Sequence, residues 1–394
     1  MTEKLFQDRV ALQQQYAAAL LSDVLPFWET HSIDPHGGFL TCLDRRGEVY
    51  DTDKFVWLQA RQVWTFSMLY NRLERRASWL DIARHGVEFL RAHGRDGEGS
   101  WYFSLNRDGD PLVQPYNIFT DCFAAMAFGQ YALASGDDEA KEIALTSFRN
   151  VLRRRDDPKG SYSKAVSWSR PMRSFALPMM LLNLSRELKE HVPRDEWETM
   201  NDGWAKEITG LFIDRETGLV FEHVSPDGSH PDTFEGRLLN PGHGLEGMWF
   251  LMELALERND SALAATTVDT ILRILEFAWD REHGGIFAFM DARGKPLQQL
   301  EWDQKMWWVH LETLLALLMG YVRLGRQECW TWFERLHEYT WQHFPDPEYG
   351  EWFGYLNRRG EVLLPIKGGK WKGCFHVPRC LFRCSELLKG PFPS

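Results

Sequence analysis

A chain of 394 residues, 44% of them hydrophobic and including 18 tryptophans, can bury a large core. It is long enough for two domains, or for one if it is built from repeats. The net charge of −11 excludes a nucleic-acid surface, which needs clustered lysine and arginine to meet phosphates. No run of about 18 apolar residues offers a membrane span, and the opening MTEKLFQDRV lacks the apolar stretch of a secretory leader. Both point to a cytoplasmic protein, in which the six cysteines, with no CxxC pair among them, are expected as reduced thiols.

In chain order, Glu3–Thr30 reads as a first helix, with apolar residues recurring at i, i+3, i+4 and i+7. Next comes DPHGGFLTCLDRRGEVYD from 34. A glycine, a short aromatic or β-branched run and a charged turn ending in glycine make this a β-hairpin signature. It returns as GEGSWYFSLNRDGDPLV from 97, RETGLVFEHVSPDGSHP from 215, REHGGIFAFMDARGKPLQ from 281 and PEYGEWFGYLNRRGEVLL from 347. DPKGSYSKAVSW from 157 is a weaker, sixth member. The leading glycines Gly38, Gly99, Gly160, Gly218, Gly285 and Gly350 recur every 58 to 67 residues, so six units fill the chain.

Two helices fit each interval, as in Asn117–Ala134 with Asp138–Arg154 and His243–Glu257 with Ser261–Trp279. With Phe375–Leu388 at the end, twelve helices are predicted. The expectation is an all-α (α/α)6 barrel as a single domain over 1–394, with short β-hairpins at one face. The helix after each hairpin is the more apolar (FAAMAFGQYAL, GMWFLMELAL, ETLLALLMGYV) and is assigned to the inner ring. The terminal helices would pair to close it. An open solenoid shares the periodicity, but six repeats with complementary ends favour closure.

Unusual polar residues gather where the inner helices start: KFVWLQARQVW (54–64), YNIFTDCF (116–123), SWSRPMRSFALP (167–178), NPGHGLEGMW (240–249), EWDQKMWWVHLETL (301–314) and GCFHVPRC (373–380). In a closed barrel these starts ring one mouth. Trp57 with Arg61, His243 with Glu246, Trp308 with Glu312, and His376 with Arg379 lie one turn apart and point the same way. Tyr116 and Asn117 stand at the second start and join them as candidate substrate contacts. Arg61 and Glu312 read equally as a buried ion pair. Glu246 and Glu312 offer the two carboxylates that glycoside hydrolysis needs. His-x-x-Glu is half a metal site, but no third ligand follows at helical spacing and there is no HExxH, so no metal is expected. Cys374, His376, Cys380 and Cys384 match no common zinc spacing. A histidine pair suits proton transfer at carbon better. A neutral imidazole removes a proton α to a carbonyl and an imidazolium returns one, while arginine stabilises the enolate between them. Carbon 2 of an open-chain aldose is such a centre. Cys380, one turn from His376, is expected to make activity sensitive to thiol reagents.

The segments DKFVWLQARQVW, LPMMLLNL, NPGHGLEGMWFL, LEWDQKMWWVH, DPEYGEWFGYLNRRGEV and KGGKWKGCFHVPRC resemble the N-acylglucosamine 2-epimerase (renin-binding protein) family, in order along nearly the whole chain. The resemblance implies an (α/α)6-barrel isomerase that interconverts N-acetylglucosamine and N-acetylmannosamine, with His243 and His376 as its acid/base pair. It implies that Arg61, Glu246, Glu312 and Arg379 bind substrate or hold the histidines. Cellobiose 2-epimerases and mannose isomerases carry a further histidine on the helix matching RSFALPMMLLN; here Ala176 to Met180 contains none, which favours N-acyl sugars. The family likeness also implies a homodimer and ATP as an allosteric activator outside the chemistry. No Walker A sequence is present, GGKWKG lacking its spacing. The basic stretch RRRDDPKGSYSK is the candidate nucleotide site, with Arg153, Arg154, Arg155, Lys159 and Lys164 around Gly160. A renin-binding-type interaction protein is the non-enzymatic alternative.

Overall fold

The computed structural model describes residues 3–390 and 392, leaving out 165 and 167. Helix α1 (Glu3–Ala18) continues through a π-helical turn (Ala19–Val24) into α2 (Leu25–His31) as one rod. Five antiparallel pairs follow: α3 (Val56–Arg72) with α4 (Ala77–His93), α5 (Phe119–Ser135) with α6 (Asp138–Arg154), α7 (Ala176–Glu187) with α8 (Arg194–Glu207), α9 (Pro241–Arg258) with α10 (Ser261–Ala278), and α11 (Trp307–Leu324) with α12 (Gln327–His343). Helix α13 (His376–Lys389) completes the chain.

Burial separates inner from outer helices. In α11 every residue from Val309 to Tyr321 is buried, the mark of a helix surrounded by protein. In α6 the buried residues Ala140, Ile143, Ala144, Ser147, Phe148 and Val151 form one stripe. Asp137 caps that helix by accepting from Ala140 N at 2.9 Å. The inner helices pack in sequence, α3 on α5, α5 on α7, α7 on α9, α9 on α11 and α11 on α13. The ring closes where Thr65 Oγ1 donates to Cys374 O at 2.7 Å and the Trp64 and Phe375 rings meet at 5.0 Å. Outside it, α1 packs on α13, with Gln13 Nε2 donating to Ser385 Oγ at 3.0 Å. This is the (α/α)6 barrel, with its terminal helices paired.

After the outer helices the chain turns back through isolated bridges, among them Ile33 to Phe39 and Arg95 to Trp101, at glycines of left-handed backbone such as Gly38 (φ 64°) and Gly99 (φ 83°). Hairpins follow, formed by β1 (Cys42–Leu43) with β2 (Val49–Asp51) and, in the next repeat, by strands after β3 (Lys54–Phe55): β4 (Ser104–Leu105) with β5 (Pro111–Val113). The unforeseen feature is pairing between repeats. The strand leading into an inner helix joins the first strand of the following repeat: β3 joins β4, β6 (Arg173–Ser174) joins β7 (His223–Val224), and β8 (Leu238–Leu239) joins β9 (Met290–Asp291). Likewise β10 (Lys305–Met306) joins β11 (Tyr355–Leu356), which also pairs with β12 (Val362–Leu364). The expected sixth hairpin at 157 is a correction. Gly160–Tyr162 is a single 3-10 turn and no strand occurs among the described residues between Arg154 and Arg173, because SYSK supplies no apolar face to bury.

One polar device recurs around the ring. A buried aspartate after an outer helix holds a buried lysine ahead of the next inner helix and an arginine from the next hairpin turn. Asp34 holds Lys54 (2.9 Å) and Arg107 (2.8 Å); Asp280 holds Lys305 (3.1 Å) and Arg358 (3.0 Å). Asp346 holds Lys367 (2.9 Å) and Arg45 (2.7 Å), which joins the last repeat to the first.

Candidate active site

The hairpin-side mouth opens into a cavity of about 470 Å³. Trp57 and Arg61 on α3, Tyr116 and Asn117 before α5, His243 and Glu246 on α9, Trp308 on α11 and His376 on α13 all line it. The shared position of these residues within the repeat brings them together. Glu312 and Arg379 do not line the cavity; both are buried beneath it. Trp249 is buried as well, lying between the Arg379 and Arg383 guanidiniums at 5.3 and 4.7 Å. Residues unmarked by sequence also face the cavity, including Glu301, Tyr355 and Trp371.

Both histidines are oriented by carboxylates. His243 Nδ1 lies 2.9 Å from Glu222 Oε2, and His376 Nδ1 lies 2.7 Å from Glu312 Oε1. Each ring therefore has Nε2 left for the cavity. Trp308 sits between them, its ring 5.6 Å from His243 and 5.9 Å from His376. Asn240 positions the first histidine, because this N-cap of α9 accepts from His243 N at 3.2 Å.

The two imidazoles lie in opposite electrostatic surroundings. Burial opposes charge on His243, yet Glu222, by charge and hydrogen bond, and then Glu246 outweigh it and raise the ring above its ordinary value. At His376 burial wins. Glu312 pulls upward, but Arg61 and Arg379 press downward, and the ring is held down to about 3. His376 is thus neutral at neutral pH, while His243 is biased toward the imidazolium.

Arg379 competes with His376 for Glu312. Its Nη2 lies 2.7 Å from Glu312 Oε1 and also bonds Glu246 Oε1. Trp249 Nε1 donates to Glu312 Oε2 at 3.0 Å. Two expectations change here. Arg61 and Glu312 are not an ion pair, since the carboxylate is committed to Arg379 and His376. Glu246 and Glu312 do not flank a bond position, because both hold one guanidinium. Arg61 instead lies among the rings of Phe123, Trp57 and Phe375, at 4.0, 4.4 and 4.7 Å, and its buried Nε has no hydrogen-bond partner.

Glu246, Glu312 and His376 place one ligand atom each within 4.8 Å of one another, the one such group among the described residues. The group leaves out His243, so it does not complete the His-x-x-Glu half site; its three members come one each from α9, α11 and α13. Arg379 already neutralises both carboxylates, so the donor set fits a guanidinium better than a metal dication. Among the described residues Cys374, His376, Cys380 and Cys384 form no such group. Cys380 is fully buried and its thiol donates to Glu312 Oε1 at 3.2 Å. Burial, together with Glu312, pushes that thiol well above its ordinary value, so the expected thiol-reagent sensitivity is not supported.

The basic stretch lies outside the cavity. Lys159, Gly160 and Lys164 are exposed, with Gly160 at φ 51°. The guanidiniums diverge: Arg153 bonds Asn150 (2.6 Å), Arg154 bonds Asp121 (3.2 Å) and Arg155 bonds Asp156 (3.2 Å). On α7, Ala176, Met179 and Met180 give the cavity an apolar wall. Among the described residues no helix is long and apolar enough to cross a membrane.

Solved structures share this barrel fold. A cellobiose 2-epimerase from Spirochaeta thermophila superposes with a TM-score of 0.82 at 20% identity, over 98% of this chain and 99% of that one. A D-mannose isomerase gives a TM-score of 0.79 at 18% identity, with 98% of each chain covered. The chain belongs to the N-acylglucosamine 2-epimerase (GlcNAc 2-epimerase) family, whose model matches residues 38–380, and is a carbohydrate isomerase. The N-acylglucosamine 2-epimerase of Rattus norvegicus is 42% identical over 97% of this chain and 94% of its own length. That of Homo sapiens is 41% identical over 93% and 88%.

Proposed function

We propose that the protein interconverts N-acetylglucosamine and N-acetylmannosamine by moving a proton at carbon 2. The observation that carries this reading is one cavity faced by two histidines, each tied through Nδ1 to a carboxylate, with His243 raised above and His376 held below the ordinary imidazole value. The sugar ring opens first to the aldehyde. Neutral His376 takes the carbon 2 proton on Nε2, and the C–H electrons form the double bond between carbons 1 and 2, leaving an enolate oxygen. Arg61, with no carboxylate of its own to satisfy, stabilises that oxygen. His243, as the imidazolium, delivers its Nε2 proton to the opposite face of carbon 2. The reverse reaction exchanges the two roles. Trp308 offers a flat surface between the histidines, and the Ala176–Met179–Met180 wall receives the acetyl methyl.

Incubation with N-acetylglucosamine in deuterated water tests this directly. Deuterium is expected at carbon 2 of the product, and its absence rejects the proton-transfer route. His243→Asn and His376→Asn should each lower turnover at least about 100-fold with an unchanged circular dichroism spectrum. Fructose formed from mannose would instead select the aldose–ketose branch.

The family likeness supports ATP as an activator, and we assign its phosphates to the exposed Lys159–Gly160–Lys164 turn. Lys159→Ala combined with Lys164→Ala should abolish activation by ATP and spare the basal rate. Unchanged activation removes the turn from consideration.

A further inference from the structure

A second cleft, of about 580 Å³, lies between outer helices α10 and α12 and shares no lining residue with the barrel cavity. Three arginines reach it, Arg273, Arg281 and Arg335, against one carboxylate, Glu276. Arg335 is fixed by stacking, its guanidinium 4.4 Å over Trp279 and 5.3 Å over Trp332. Those indoles meet edge-on at 5.6 Å. Among the described residues neither Arg335 nor Arg281 has a hydrogen bond or ion pair with the protein. Arg273 is held by Nε on Thr217 O at 2.8 Å and by Nη1 on Glu276 at 3.2 Å, which leaves Nη2 for the cleft.

In a chain of net charge −11, three exposed arginines against one carboxylate make a local positive patch that draws an anion. Three positive charges and one negative leave a deficit that a phosphate group, at roughly −1.5 to −2, matches and a single carboxylate does not. Stacking also removes most of the rotamer freedom that an arginine loses when it binds phosphate. We propose that this cleft binds a phosphate-bearing small molecule, with Arg281 and Arg335 taking the phosphate oxygens and Arg273 completing the set. The proposal is independent of the epimerase reading and of the lysine turn.

Titration of the whole protein against inorganic phosphate, followed by 31P NMR line broadening, tests it, with acetate at equal ionic strength as the carboxylate competitor. Saturable phosphate binding that acetate does not displace is expected. Arg281→Gln and Arg335→Gln should each weaken it at least tenfold, and the Lys159→Ala plus Lys164→Ala variant should bind as the parent does. Arg281 is exposed and unstacked, so its variant reports even if Arg335→Gln disturbs the indoles. Glycerol 3-phosphate in place of phosphate distinguishes an ester from the free ion, the tighter of the two naming the source. No phosphate binding, equal displacement by acetate, or loss only in the lysine variant overturns the proposal.

Discussion

His243 and His376 each bond a glutamate through Nδ1, and only their neighbours distinguish them. Glu222 has no cation competing for it among the described residues, whereas Glu312 is shared with Arg379. Glu222→Gln keeps the shape of the contact and removes the charge that raises His243. The acid form of His243 is lost as pH rises through its folded value, so lowering that value should move the alkaline limb of the kcat profile toward acid. Each unit of displacement leaves about tenfold less imidazolium above the new value. An unmoved limb would assign the acid role elsewhere. His243, Glu246, His376 and Arg379 were legible because three-residue spacing on a helix fixes a shared face. Glu222 was not, because it sits in LVFEHV just ahead of β7, where alternation tells which side a residue faces but not which helix it meets. The mistaken Arg61–Glu312 pair has a related cause, since spacing aligns residues on one helix and is silent on how neighbouring helices rotate.

At the level of elements, the helices were readable almost to their ends, Asp138–Arg154 being both the expected and the observed span. The strands were legible only as hairpins, β1–β2, β4–β5 and β11–β12. The strands leading into the inner helices are two residues long, too short for any period, and their partners lie in the next repeat. The turn glycines allow a graded test of what holds these connections. Gly99 has left-handed backbone and open space around it, so Gly99→Ala should cost about 1–2 kcal/mol, the strain alone. At Gly38 a Cβ would lie 2.6 Å from Gln59 Oε1 and 2.8 Å from Phe89 Cδ1, while Gln59 bonds both Phe39 N and Phe39 O at 2.7 Å. Gly38→Ala should therefore cost about 1–3 kcal/mol more. Urea midpoints of the two variants decide the order, and equal values would show that the Gln59 contact yields freely.

For the whole molecule, the aspartate-centred clusters set how stability responds to acid. Burial would raise Asp346, but Arg45 and Lys367 overcome it and hold the carboxyl well below its ordinary value. Its contribution is therefore complete above the unfolded carboxylate value, near pH 4, and is lost as pH falls further. Asp346→Asn leaves buried Lys367 without its counter-charge and should cost about 3–5 kcal/mol at neutral pH. Urea unfolding as a function of pH should show the gap between parent and variant narrowing below about pH 4; a constant gap would mean that the ion pair is not its source.

The joined chain ends bear on how the barrel can fold. Five of the six neighbour interfaces link segments about one repeat apart, but the sixth, seen in Thr65 with Cys374, spans 309 positions of sequence. Bringing those ends together carries roughly 1.5 kcal/mol more loop-closure entropy than a contact sixty residues apart. The local pairs have every reason to form before the seam, and a slow final phase of refolding would be the sealing of an open arc into a ring.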